Sequence, residues 1–299
     1  MSLRSLFLAI SACLIPAPTF AQHAFFPEGA FGGGHGDLSA RIRASRAAAA
    51  KEPLVTDRPD FTEASSVVGL GVVQLETGYT HIYRDDEFDQ SITHSHSFPE
   101  VLLRIGIHER AVLRIMSSYL WEDNIDAGVR STPEGGLPLG LGFKFQLLRN
   151  EGWVPETALI SGITLETGAK EFRTEDTDFN MVLLYSWELP CGWTLGGNSG
   201  FTTFTEDIPV LPATTDRDGH VILFQSIAMG RSVTDSIGMY IEYFGLYTAG
   251  RRENFPANFI DGGFTYLLNN DVQFDIRAGK GLNNHADDLF TGVGMSLRF

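Results

Sequence analysis

Two segments of this sequence combine histidine with carboxylates, and these side chains could bind a metal ion or activate water. The first segment holds Asp85-Asp-Glu87 and His94-Ser-His96, and the second is Asp216-Arg-Asp-Gly-His220. A His-x-His pair on an extended strand can grip zinc from one face, and a carboxylate beside a histidine can activate water. However, acidic loops that contain histidine are usually ordinary solvated surface. Since the sequence has no Gly-x-Ser-x-Gly elbow, phosphate loop or paired-cysteine motif, we expect no catalytic residue, no metal and no cofactor.

A second set of charged side chains alternates with apolar ones along ten-residue stretches. In Pro138–Leu148, for example, the positions from Leu139 to Leu147 in steps of two are apolar, whereas Lys144 and Gln146 lie between them. Such alternation is typical of the strands of a transmembrane β-barrel, in which one face contacts lipid and the other lines the lumen. A Lys or Arg on the lipid face at mid-bilayer costs about 2–4 kcal/mol, so these charges are predicted to point inward. The predicted lumen-lining residues are Glu76, Glu100, Arg104, Arg114, Lys144, Tyr240, Glu242, Asp261, Asp275, Arg277 and Arg298.

Twelve segments with this period-two pattern predict an all-β fold, a transmembrane up-and-down antiparallel barrel of twelve strands. They are Gly71–His81, Phe98–His108, Ala111–Trp121, Pro138–Leu148, Pro155–Leu165, Asp178–Glu188, Trp193–Phe204, His220–Arg231, Ser236–Tyr247, Ala257–Leu268, Asp271–Leu282 and Asp288–Phe299. The connections after even-numbered strands are short, and those after odd-numbered strands are mostly longer. This alternation is typical of tight periplasmic turns and longer outer loops.

The last predicted strand ends on Phe299, with no polar tail after it. Leu297, Met295 and Val293 share its face, and small or polar residues fill the opposite face. This pattern suits the closing strand of an outer-membrane barrel, and we expect Phe299 to act as an assembly signal for the barrel-insertion machinery.

The N-terminus predicts export. Residues 1–21 have a short basic region, an apolar stretch and a small-residue cleavage site, which together are typical of a signal peptide. Cleavage as a lipoprotein at Cys13 is the alternative. Residues 22–55 predict a low-complexity periplasmic lead-in with one short helix near Leu38–Ala50, and residues 56–299 predict the barrel. Cys191 is the one cysteine beyond the predicted signal peptide, and we expect it to be a buried thiol near a turn.

The charge balance excludes one class of partner. With 22 basic and 37 acidic residues, the chain lacks the basic surface that nucleic acid requires. The expected partners are outer-membrane lipid, the insertion machinery and a small-molecule solute, while the sequence leaves the oligomeric state open.

The segment before the first strand carries a family resemblance. Thr56-Asp-Arg-Pro-Asp-Phe-Thr-Glu-Ala-Ser65, followed by Val72-Val-Gln-Leu-Glu-Thr-Gly-Tyr79, resembles the opening of the outer-membrane barrel family labelled "putative MetA-pathway of phenol degradation". The resemblance covers Val55 to Phe299. It implies an outer-membrane channel or transporter for phenolic or other small hydrophobic compounds, and it supplies no catalytic or ligand residues.

The same segment is a candidate plug. Asp57, Arg58, Asp60 and Glu63 are too densely charged for a lipid-facing strand, and Pro59 cannot occupy a central ladder position. The segment is predicted to lie in the periplasm or to fold into the lumen mouth. In the lumen its carboxylates could pair with Arg104, Arg114 or Arg277, and Arg58 with Glu76 or Asp275. The inward charges therefore allow two interpretations, a path for a solute or a filled barrel. A structural, adhesive or hydrolytic barrel is the functional alternative to a channel.

Overall fold

The structure is a computed structural model that describes residues 37–86, 90–174, 176–211, 214–250 and 254–299; the side chains of residues 206–218 and 254 are outside this description. The predicted signal peptide, Cys13 and residues 22–36 of the lead-in therefore lie outside the described residues.

Antiparallel strands form one closed barrel. They are β1 (Val73–Asp86), β2 (Ser91–His108), β3 (Ala111–Asp126), β4 (Val129–Ser131), β5 (Glu134–Gly136), β6 (Gly140–Leu148), β7 (Glu156–Thr164), β8 (Asp178–Leu189), β9 (Trp193–Leu211), β10 (Thr214–Ser232), β11 (Ile237–Ala249), β12 (Asn254–Asn269), β13 (Val272–Gly281) and β14 (Leu289–Arg298). Twelve long strands form the wall, and β14 pairs with β1 to close it. The short β4 and β5 both pair with β3. The prediction of a twelve-stranded up-and-down barrel is confirmed.

Short connections gather at one end of the barrel, which we call the turn end; the opposite end is the loop end. At the loop end the structure differs from the predicted loops. The β1–β2 pair continues to Asp86 and Ser91, and the β9–β10 pair continues to Leu211 and Thr214. These extensions were predicted as loops because the predicted period-two segments end before them. A strand that continues past the membrane keeps its backbone pairing without an apolar face.

The two faces of the wall differ as predicted. On β13, Phe274 and Ile276 are 41% and 53% exposed on the outside, whereas the intervening Gln273 and Asp275 are buried. This alternation makes the outer surface an apolar belt suited to lipid and leaves the polar side chains inside.

A single described helix, α1 (Leu38–Ala49), lies at the turn end, where a short helix was expected. Asp37 caps its N-terminus, and Arg41 pairs with Glu109 in the β2–β3 turn. None of the described helices is long and apolar enough to cross a membrane.

The expectation that Cys191 is buried was wrong. The residue is exposed in the 3-10 turn Pro190–Gly192, where its φ is +63°. A residue in this tight turn at the end of the barrel has no core to enter.

Candidate functional site

Residues 54–72, between α1 and β1, run inside the barrel, and we call them the inner segment. The segment enters at the turn end, where the Leu54 N–H donates to the Asn270 carbonyl at 2.8 Å. It leaves at the same end, where the Gly71 N–H donates to the Gly106 carbonyl at 2.7 Å. Between these points it rises to Phe61, which contacts β11. The inner segment is thus a loop that enters and leaves through one end of the barrel.

Asp57 anchors the inner segment. Its carboxylate accepts from Lys144 Nζ at 2.7 Å and Arg114 Nη1 at 2.9 Å, with Arg104 Nε at 3.4 Å. All three cations are at most 1% exposed. Burial raises the pKa of Asp57, but the charges of Arg104, Lys144 and Arg114 outweigh burial and hold it well below its ordinary value. The Asp57 N–H also donates to Glu76 at 2.9 Å, so this contact involves both the side chain and the backbone.

Arg58 occupies a groove at the seam of the barrel. Its guanidinium donates to Glu100 at 2.6 Å and to Asp275 at 3.4 Å. The inward positions beside it are Gly78 on β1 and Gly294 on β14. A Cβ at either glycine would lie 2.4 Å from an Arg58 atom, so this close approach requires glycine.

The tip of the inner segment, residues 60–62, contacts the far wall. The Phe61 N–H donates to Glu242 at 2.7 Å, and the Thr62 hydroxyl also donates to Glu242. The Thr62 and Ser226 hydroxyls lie 2.7 Å apart. The Phe61 ring stacks on Phe244, with centroids 4.5 Å apart and planes inclined by 11°.

Beyond the tip, apolar side chains pack together in the loop half of the lumen. This outer apolar cluster consists of Phe204, Ile222, Phe244, Leu246, Phe255, Ala257, Phe259, Ala286 and Phe290. Phe61 and Phe224 pack against it, and the Phe244 and Phe259 rings stack at 4.7 Å. Phe61 therefore extends a row of stacked rings from the wall onto the inner segment.

After the tip, the inner segment returns along another part of the wall. Glu63 accepts from Arg114 Nη2 at 2.8 Å. The Ser65 hydroxyl lies 2.6 Å from the Ser186 hydroxyl and donates to Glu156 at 3.0 Å. We call residues 63–66 the return arm.

A cavity of about 450 Å³ separates the inner segment from β8–β12 on the turn side. Its lining runs from Glu188 and Ser232, at the turns, to Thr62 and Tyr240, at the level of the tip. The tip and the outer apolar cluster lie beyond it. On this side of the barrel the lumen is thus occupied at the level of the tip and open below it.

The predicted lumen-lining residues fall into three groups. Those that bond to the inner segment are Glu76, Glu100, Arg104, Arg114, Lys144, Glu242, Asp275 and Arg277. Tyr240 donates to Asp261 at 3.1 Å beside the tip. Arg298 lies at the turn-end rim, where it bonds to Asp271 at 2.7 Å.

The plug candidates Asp57, Arg58, Asp60 and Glu63 all belong to the inner segment. Sequence reasoning missed four residues that hold the tip and the return arm, namely Thr62, Ser226, Glu156 and Ser186. The one available signal was that Thr62 lies in the charged block before the first strand.

The described histidines of the first segment lie on the outer face of the wall, away from the inner segment. His94 and His96 lie on the outer face of β2, and His81 lies beside them on the outer face of β1. The His96 ring stacks on Trp121, with centroids 5.3 Å apart. Among the described residues, no three or more metal-ligating side chains are placed to hold an ion. The Asp216 and Asp218 side chains lie outside the description.

Comparison with known proteins supports the fold and identifies the family. A family model described as "Putative MetA-pathway of phenol degradation" matches residues 56–299. No curated protein matches the chain in sequence.

Three solved structures are similar in fold. An outer membrane channel from Pseudomonas putida F1 superposes with a TM-score of 0.65 at 10% identity, covering 81% of this chain and 100% of that one. The translocator domain of the autotransporter NalP from Neisseria meningitidis gives 0.55 at 10% identity, covering 88% and 96%. The β-domain of the Bordetella autotransporter BrkA gives 0.54 at 8% identity, covering 77% and 100%. At these identities the similarity establishes the barrel fold alone.

Proposed function

We propose that this chain, which belongs to the family described as "Putative MetA-pathway of phenol degradation", is an outer-membrane channel for a small aromatic or otherwise hydrophobic solute, and that its inner segment is a plug that closes the channel at rest. The closed barrel with an apolar outer belt supports the membrane location. A barrel of twelve strands lies between the filled eight-stranded barrels and the open porins of 16–18 strands, so its conductance depends on what occupies the lumen.

The observation that carries the proposal is the stacking of Phe61 on Phe244. Aromatic pairs of this kind contribute about 0.5–1.5 kcal/mol beyond the burial of their area. A planar aromatic solute can make the same contact with the Phe244 face. Such a solute therefore competes with Phe61 and favours the displaced state of the tip, because a ligand shifts an equilibrium toward the state it binds better.

The outer apolar cluster continues the path on the loop side. Its phenylalanine rings present a surface on which a solute arriving from outside exchanges one apolar contact for the next. Below the tip, the cavity of about 450 Å³ is large enough for one small solute and leads to the turn end. The tip is the barrier between these two spaces.

Planar-bilayer conductance tests the plug. We expect deletion of residues 22–66 to raise single-channel conductance several-fold and Phe61→Ala to raise the open fraction, with folded, heat-modifiable barrel retained in both. Phe264→Ala is the matched control because Phe264 is 55% exposed on the lipid side. An unchanged conductance in the deletion variant would overturn the plug. An intact barrel that stays silent in every variant would favour the structural or adhesive alternative.

The solute class has its own test. Phenol and cyclohexanol are similar in size, but only phenol is planar and aromatic. We expect phenol to raise the wild-type open fraction more than cyclohexanol does and to lose this advantage in Phe244→Ala. Equal effects of the two alcohols would argue against recognition by stacking. The deletion variant, which has no tip to displace, reports any direct effect of either alcohol on the bilayer.

A further inference from the structure

Three carboxyl groups meet where the tip contacts the wall. Glu242 and Asp261 are cross-strand partners on β11 and β12, and they are 1% and 4% exposed. The two carboxyl groups therefore lie side by side on the lumen face, and Asp60 is the residue next to Phe61, whose N–H donates to Glu242. Neighbouring buried carboxylates repel each other unless one of them carries a proton. The arrangement therefore calls for at least one bound proton when the tip is seated.

The cations nearby do not balance this cluster. Arg277 faces it, but its two terminal nitrogens donate to the Pro59 carbonyl at 2.9 Å and to the Thr80 hydroxyl at 3.2 Å. Arg58 is bonded to Glu100 and Asp275. In addition, Asp261 Oδ1 is buried and accepts no hydrogen bond within the described part of the chain. Like charges buried together resist simultaneous ionisation, so the cluster favours a protonated state.

The charged and titratable groups that act on the tip, directly or through Arg58 and Arg277, come from five elements. They are Tyr240 and Glu242 on β11, Asp261 on β12, Asp275 and Arg277 on β13, Glu100 on β2, and Asp57, Arg58 and Asp60 on the inner segment itself. The anchor at Asp57 differs from the tip, since three buried cations there pair with the carboxylates of Asp57, Glu63 and Glu76.

We propose that Asp60, Glu242 and Asp261 form a proton-operated latch, which holds the tip in place while they share protons and releases it when those protons are lost. This inference rests on the proposed function, because it assigns the regulation of the same plug. It also implies that the tip moves while the anchor at Asp57 stays.

The direction of the pH effect follows from Asp60. Burial raises the pKa of Asp60 from 3.8 to about 8, and the charges of Asp261 and Asp57 add to the rise. A group whose pKa is higher in the seated than in the released state stabilises the seated state at low pH. This contribution is complete below the ordinary pKa of an aspartate and is lost as the pH rises through about 8. The latch thus holds under acidic and neutral conditions and opens under alkaline ones.

The test is the open fraction of the full chain in planar bilayers between pH 6 and pH 9. For the wild type we expect a several-fold increase over this range. Asp60→Asn replaces the carboxyl with a neutral group of the same shape and should lose most of that increase. Asp235→Asn, in the β10–β11 turn away from the site, makes the same change and should keep the wild-type profile. A flat wild-type profile, or an Asp60→Asn profile equal to the wild type, would overturn the latch.

A disulfide across the latch provides a second readout. Thr62→Cys with Ser226→Cys, in a Cys191→Ser background, joins hydroxyl positions that are 2.7 Å apart. When oxidised, this pair should abolish the increase with pH, and reduction should restore it. An increase that survives oxidation would place the pH-sensitive element elsewhere and overturn the latch. If deletion of residues 22–66 raises conductance but the wild type shows no pH response, the plug stands and only the latch fails.

Discussion

Gly78 and Gly294 are cross-strand partners on β1 and β14, at the seam where the barrel closes, and both leave their inward positions empty. The Arg58 guanidinium fills the space, since a Cβ on either glycine would lie 2.4 Å from it. The same pair of glycines therefore lies where the wall closes and makes room for the side chain that holds the inner segment.

We expect Gly78→Ala to dislodge Arg58 while the barrel still folds. The clash is with the far end of a flexible side chain, which can swing away, but in doing so it loses its bond to Glu100. In planar bilayers the open fraction should rise several-fold, with normal heat-modifiability. Gly136→Ala is the control because a Cβ there meets nothing within 4 Å. A variant that stays as closed as the wild type would show that Arg58 does not hold the plug.

Removing the anchor carboxylate should have a larger effect. Asp57→Asn leaves Arg104, Arg114 and Lys144 without their shared anion, and breaking a buried ion pair typically costs about 3–5 kcal/mol. We expect the inner segment to leave the lumen, which proteolysis of the folded protein would detect as faster cleavage within residues 54–72.

The lowered pKa of Asp57 also predicts how the seated inner segment of the wild type responds to acid. The pKa of Asp57 is lowered in the seated state, so its contribution is present above the ordinary aspartate pKa and is lost only as the pH falls further. Wild-type protection should therefore persist through mildly acidic pH. Asp37→Asn is the control, since asparagine caps a helix as well as aspartate does. Equal cleavage rates for Asp57→Asn and the wild type would contradict the role of the anchor.

The strands were largely predictable from sequence because the membrane imposes a strict rule on every residue of the wall. Lys144 and Arg114 had to point inward, since the lipid face penalises a charge. Strand ends were harder to place. Outside the lipid a charge on the outer face carries no such penalty. The alternating pattern therefore did not predict that β1 extends to Asp86 and β9 to Leu211.

Partners inside the lumen were less predictable. Arg58 was expected to pair with Glu76 or Asp275, and it reaches Asp275, but its shorter bond is to Glu100. Glu76 instead accepts from the Arg58 backbone N–H at 3.1 Å. Period-two alternation shows which way a side chain points. It does not show how far neighbouring strands are staggered or how deep the inner segment reaches, and these two quantities decide which charges meet.

Phe299 should control assembly of the barrel. The Phe299 N–H donates to the Val73 carbonyl at 2.8 Å, so the last residue pairs with the first residue of β1 and completes the closing ladder. We expect deletion of Phe299 or Phe299→Asp to lower sharply the amount of heat-modifiable protein in the outer membrane. Ser296→Ala should be tolerated, because the buried Ser296 hydroxyl has no hydrogen-bond partner in the described structure. Equal yields of all three variants would show that the terminal residue has no role in assembly.

Two disulfides should separate movement of the tip from release of the whole inner segment. Thr62→Cys with Ser226→Cys fastens the tip, and Ser65→Cys with Ser186→Cys fastens the return arm, where the hydroxyls are 2.6 Å apart. Both pairs are made in the Cys191→Ser background, and each is oxidised and then reduced in the bilayer. Because the proposed function places the barrier at the tip, we expect the first disulfide to hold the channel closed and the second to leave opening by phenol intact. If both disulfides hold the channel closed, the whole inner segment must leave. If neither does, the path avoids the tip, and the stacking of Phe61 on Phe244 is not the barrier.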